Sequence, residues 1–146
     1  MATKPIPEGH NRVSPYLLVT GAAAVIELAK RTFGAVELHR SLRPDGLIGH
    51  AEFKIGDSVV MISDATDEFP AMQSMVHVYV EDVDDAYRRA IAAGAESLRE
   101  PADQFYGDRS AGVRDAGGTS WWIATHREDV SPEEIERRAK ALTPPA

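Results

Sequence analysis

Apolar side chains recur at helical spacing in two stretches of the chain. Ala22, Val25, Ile26, Ala29 and Phe33 form the first, and Val83, Ala86, Tyr87, Ala90 and Ile91 form the second. Gly34 and Gly94 stand where a helix C-cap glycine belongs, and Asp82 can cap the start of the second helix. Short runs with alternating or β-branched character surround both. They predict strands at 13–19, 36–42, 48–55 and 58–64, and again at 75–80, 96–99, 109–115 and 119–126. Gly56-Asp57 and Gly117-Gly118 predict tight hairpin turns, and Pro44-Asp45-Gly46 a looser one. The element order is βαβββ, twice.

The second half repeats the first. Tyr16-Leu-Leu-Val19 lies over His77-Val-Tyr-Val80 at an offset of 61, and Gly56–Ser63 lies over Gly117–Ala124 at the same offset. The Gly34-Ala35 and Gly94-Ala95 pairs match at 60. The expected organisation is one α+β domain over 10–142, with modules at about 12–64 and 75–126. Neither half is large enough to bury its own sheet face comfortably, so the two should pack or join edge to edge. A tail helix is expected over 131–142. Ser131 caps it, Pro132 takes the first position, Glu134 follows three residues after the cap, and Pro144-Pro145 stops it. Glu133, Glu134, Arg137 and Arg138 on this helix form a solvated face with i,i+4 pairing.

Charge and composition narrow the function. The 146 residues carry 23 acidic and 16 basic side chains, a net charge of −7, which argues against a nucleic-acid or anionic-membrane surface. There is no cysteine, which excludes disulfides, thiolate nucleophiles, iron–sulfur clusters and Cys-based zinc sites. The first ten residues hold no apolar core of a signal peptide, and no apolar run approaches the ~18 residues of a membrane span. A cytoplasmic protein is expected. Nucleophile-elbow, Walker and dinucleotide-binding glycine motifs are absent.

The duplicated βαβββ pattern resembles the vicinal oxygen chelate superfamily of glyoxalases, bleomycin-resistance proteins and extradiol dioxygenases, and within it the PhnB-like branch. The stretches that carry the likeness include Val13-Ser-Pro-Tyr-Leu17, Gly49-His-Ala-Glu-Phe-Lys-Ile-Gly-Asp-Ser58, Val78-Tyr-Val-Glu-Asp-Val83, Asp103–Ser110 and Trp122-Ile-Ala-Thr-His126. The resemblance implies two modules forming a cup-shaped mixed β-sheet with helices on its convex side, and commonly a homodimer. One stretch departs from the family. Its usual Asp-Pro-Phe-Gly-His before the last strand reads Asp115-Ala-Gly-Gly-Thr119 here.

Period-two alternation sorts the strand faces. Val76, Val78 and Val80 suit a helix-packing face, which turns Met75, His77 and Tyr79 into the cup. By the same logic Ser14, Tyr16, Leu18, Val59, Met61, Ser63, Ser120, Trp122 and Ala124 face inward. A two-residue turn at Gly56-Asp57 pairs Glu52 with Met61 and brings His50 and Glu52 to that face. Carried over from the family, the metal-ligand positions are Ser14, Met61, Met75 and Trp122, none a useful ligand for a divalent metal. No metal and no other cofactor is therefore expected, which argues against glyoxalase or dioxygenase chemistry. What remains is an aromatic and thioether pocket for a small organic molecule, lined by Tyr16, Met61, Met75, Tyr79 and Trp122 with His50, Glu52 and His77 as polar points. Arg109 could clamp an anionic group, or sit in an ion pair of its own loop. His39 and His126 read as surface residues. Binding or sequestration without chemistry is the leading expectation. The alternative is a lyase- or isomerase-type enzyme using His50, Glu52 and His77 as base or displaced metal ligands. His50 and Glu52 could equally form a cross-strand hydrogen bond near the rim.

Overall fold

The two apolar stripes fold as expected. Helix α1 spans Ala22–Phe33 and buries Ala22, Val25, Ile26, Leu28 and Ala29 along one side. Gly34 ends it in the left-handed conformation, φ 67°, which a glycine adopts without a Cβ clash. Helix α2 spans Val83–Ala92, and the Asp82 carboxylate accepts the N–H of Asp85 at its start. These features come from a computed structural model, which describes residues 2–142. The strands are β1 (Tyr16–Val19), β2 (Val36–Leu42), β3 (Ile48–Ile55), β4 (Ser58–Asp64), β5 (Ser74–Tyr79), β6 (Glu96–Asp103), β7 (Asp108–Arg114) and β8 (Thr119–His126). Helix α3 covers Pro132–Leu142, and the expected Pro144-Pro145 stop lies outside the described residues.

Each module forms a four-stranded mixed sheet, ordered β1-β4-β3-β2 in the first and β5-β8-β7-β6 in the second. In both, the first strand runs parallel to the fourth and the remaining pairs are antiparallel. Strands β1 and β5 are edge strands of separate open sheets and do not pair with each other. The modules meet instead through their helix-bearing sides. One apolar core runs from Leu17, Phe53 and Ile62 through both helices to Val113, Trp121 and Ile123. Phe33 of α1 packs on Trp121 of β8 with ring centroids 5.4 Å apart.

Strands β5 and β7 each begin and end one residue earlier than the sequence pattern, and three larger differences have a physical reason. Strand β1 begins at Tyr16 rather than residue 13. Pro15 has no N–H for a ladder, and its carbonyl accepts from Met61. Strand β6 continues past Pro101 to Asp103, because it is a sheet edge and its register shifts between Arg99 and Ala102. The β7–β8 turn is longer than two residues. The Asp115 N–H donates to the Thr119 carbonyl at 3.0 Å, so Ala116, Gly117 and Gly118 form the loop, with Gly118 left-handed at φ 87°. Asp115 holds this loop. Its Oδ1 accepts from Gly117 and Thr119 and its Oδ2 from the Trp121 indole at 2.8 Å. A Cβ at Gly117 would lie 2.9 Å from Val25 of the first module, so a phenylalanine cannot stand there while the modules pack this closely.

Candidate functional site

The face of the first sheet that points away from α1 carries a continuous polar chain. Register sets Tyr16 opposite Met61 and Met61 opposite Glu52. The Tyr16 hydroxyl lies 2.9 Å from His50 Nδ1, His50 Nε2 lies 2.8 Å from Glu52 Oε2, and Glu52 Oε1 lies 2.7 Å from His10 Nε2. His10 Nδ1 faces the Glu8 carbonyl at 3.2 Å. Carbonyl and carboxylate oxygens only accept, so both contacts favour the protonated ring. Its pKa is accordingly raised, by Glu52 first and the Glu8 carbonyl second. The two imidazoles hold the Glu52 carboxyl below its ordinary range, His50 contributing most.

The matching face of the second sheet has different chemistry. Register sets His77 opposite Trp122, Trp122 opposite Gly112 and Gly112 opposite Arg99. The glycine leaves room for its neighbours. A Cβ there would lie 2.5 Å from the Trp122 ring, and the Arg99 guanidinium carbon sits 5.2 Å from that ring's centroid. His77 stacks obliquely on Tyr79 at 4.8 Å. The Tyr79 hydroxyl donates to Asp108 at 2.9 Å, which pushes its pKa up. His126 donates from Nδ1 to Asp108 and from Nε2 to Asp129, at 2.7 and 2.8 Å. Asp108 first and Asp129 second raise its pKa.

The predicted residues thus fall into two groups, one on each sheet: Tyr16, His50, Glu52 and Met61, and Met75, His77, Tyr79 and Trp122. Arg109 belongs to neither. It pairs with Thr125 across the ladder, on the helix-bearing side, and its guanidinium grips Asp84 at 2.8 and 3.0 Å with Asp103 beside it. The expected ion pair of Arg109 is one within its own loop, whereas the main partner, Asp84, lies on helix α2. His39 hydrogen-bonds Ser41 on the exposed strand β2. Sequence reasoning missed His10; His126, read as a surface residue, is exposed and also engages Asp108 and Asp129. A groove of about 1210 Å³ lies between the modules, along the free edge of β5 and against Pro15 and the β3–β4 hairpin. Of the predicted residues, only His77 and Tyr79 reach it.

The fold family's metal does not fit these residues. Ser14, Met61, Met75 and Trp122 offer a hydroxyl, two thioethers and an indole where carboxylate or imidazole would be needed. Glu52 cannot substitute readily, because both its oxygens are engaged by imidazole N–H groups. Among the described residues, no three His, Cys, Asp or Glu side chains are arranged to hold a metal ion.

Residues 16–123 match the Glyoxalase/Bleomycin resistance protein/Dioxygenase superfamily. The chain belongs to that superfamily. Uncharacterized proteins Mb0911c of Mycobacterium bovis and Rv0887c of Mycobacterium tuberculosis are each 34% identical to it over 135 residues. The match covers 85% of this chain and 89% and 79% of theirs, respectively. Among solved structures, TioX from Micromonospora sp. ML1 superposes with a TM-score of 0.68 at 28% identity, over 80% of this chain and 98% of that one. The fosfomycin resistance protein FosX from Mesorhizobium loti shares the fold alone. Its TM-score is 0.60 at 17% identity, over 85% of this chain and 95% of that one. Among the described residues, no helix is long and apolar enough to cross a membrane.

Proposed function

We propose that this superfamily member binds and sequesters a small organic molecule, works without a metal, and acts in the cytoplasm as a homodimer. The observation that carries the reading is the residue set at the four family metal positions. Serine, two methionines and a tryptophan cannot hold a Lewis acid, but thioethers and an indole make good contact with a flat apolar ligand. The dimer draws support from exposure. Tyr16, Met75 and Tyr79 are 45%, 70% and 63% exposed on faces that the chain leaves uncovered. A second copy laid against them supplies the other wall of a cup.

Elemental analysis of protein purified without chelator tests the metal-free reading. It should find no stoichiometric divalent ion, and one equivalent of zinc, manganese or iron would overturn it. Sedimentation should give twice the mass of the chain. A second reading is favoured by the Tyr16–His50–Glu52–His10 chain, whose order of hydroxyl, imidazole and carboxylate matches that of a general-base relay. It makes the protein a lyase- or isomerase-type enzyme. His77 lies on the other sheet, against Tyr79, and would act apart from this chain of groups. An activity found in the wild type and retained by Glu52→Gln and Tyr16→Phe would remove that reading.

A further inference from the structure

We propose that the ligand of the second sheet is a planar organic acid, an aromatic carboxylate whose ring lies on Trp122 and whose charge is taken by Arg99. The inference rests on the binding reading above and names the class of molecule that this face selects.

Arg99 is the first support. Most basic side chains of the second module have an acid. Arg109 holds Asp84 and Asp103, Arg114 approaches Glu96, and Arg89 holds Asp85. Among the described residues Arg99 has no ion pair and no hydrogen bond, and it lies against the Trp122 ring. A guanidinium presents five N–H donors in a plane suited to a carboxylate. The second support is Trp122 itself. Its ring offers a flat apolar surface beside that guanidinium, while its indole Nε1 is shielded from water and finds no acceptor. No acid of the same sheet, Glu100 and Asp103 included, reaches it. Asp108 already receives Tyr79 and His126, and Glu96 faces Arg114. Gly112 is the third support. It leaves the arginine and the indole adjacent across a strand that offers no intervening side chain. An unpaired guanidinium beside a flat apolar surface is complementary to an anion carried on a ring. An organic cation would meet the arginine's like charge.

Titration of the intact protein with naphthoate, naphthamide and naphthylmethylammonium, followed by calorimetry and tryptophan emission, tests this. Naphthoate should bind about tenfold or more tightly than the amide, and the ammonium least. Added salt should shrink the preference, and Arg99→Gln should abolish it while leaving the melting curve unchanged. Arg114→Gln should keep it, and Trp122→Phe should weaken naphthoate and amide alike. Equal affinity for acid and amide, or a preference that survives Arg99→Gln, overturns the anion assignment and leaves ligand binding standing. Failure of all three probes to bind the wild type overturns both.

Discussion

Two rows of four residues cross the two sheets at equivalent places, Tyr16–Met61–Glu52–His39 in the first and His77–Trp122–Gly112–Arg99 in the second. The strands have the same order and direction. The chemistry does not match: a carboxylate held between imidazoles stands where the other module has a bare glycine beneath an indole. On the helix side the likeness returns. Asp64 accepts the N–H groups of Gly21 and Ala22 where α1 starts, and Thr125, at the equivalent position, accepts from Val83 where α2 starts. Backbone donors at a helix start need an acceptor whatever the protein does, so the helix side of a duplicated module is constrained. The open face has no such obligation, and there the two halves have become different surfaces.

The largest test of this contrast concerns the helix starts. Asp64→Ala orphans three backbone donors, those of Gly21, Ala22 and Ile48, the last two buried, and should cost about 3 kcal/mol in a denaturant titration. Thr125→Val orphans the Val83 N–H and frees the Val80 carbonyl, and should cost about 1 kcal/mol. Equal costs would mean that the two starts are not held by acceptors of unequal reach. Next comes Gly112→Val, which forces a side chain into the Trp122 ring. It should cost about 1–3 kcal/mol and red-shift tryptophan emission. At the matching place in the first row, Glu52→Gln should cost about 1–2 kcal/mol, and the His10 pKa measured by NMR should fall toward its ordinary 6.5. The smallest effect is the pH response of the second module. Asp108 and Asp129 raise the pKa of His126 above 6.5, so the folded state binds this proton more tightly than the unfolded chain does. The His126 contribution is complete below pH 6.5 and is lost as pH rises through the raised value. Hydrogen exchange across 127–131 should quicken over that window, and His126→Gln should remove the dependence.

Turn length explains how much of each half could be read from its residues. Gly56-Asp57 closes a two-residue turn with Ile55 opposite Ser58, so alternation alone put Tyr16, His50, Glu52 and Met61 on one face. In the second half, Gly117-Gly118 suggests the same turn, but Asp115 opposes Thr119 across three residues. That shift of one places Arg109 across from Thr125 on the helix side, and Asp108 across from His126 on the open side. A single position in one loop therefore decides where an arginine and a histidine point. His10 was illegible for another reason. It lies 42 residues from Glu52 and outside any periodic element, so no pattern announces its contact. Strand β6 beyond Arg99 was hidden by Pro101, which reads as a stop unless the strand is known to lie at an edge.

The packing of Phe33 on Trp121, with Gly117 tucked against Val25, has a consequence for how the molecule comes apart. A tandem repeat whose units touched lightly could melt half by half. Here the greasy interior is common property, and stripping away either half bares the other's tryptophan or phenylalanine to water. Heating should therefore give one sharp transition with calorimetric and van't Hoff enthalpies in agreement, and neither half expressed alone should hold its shape.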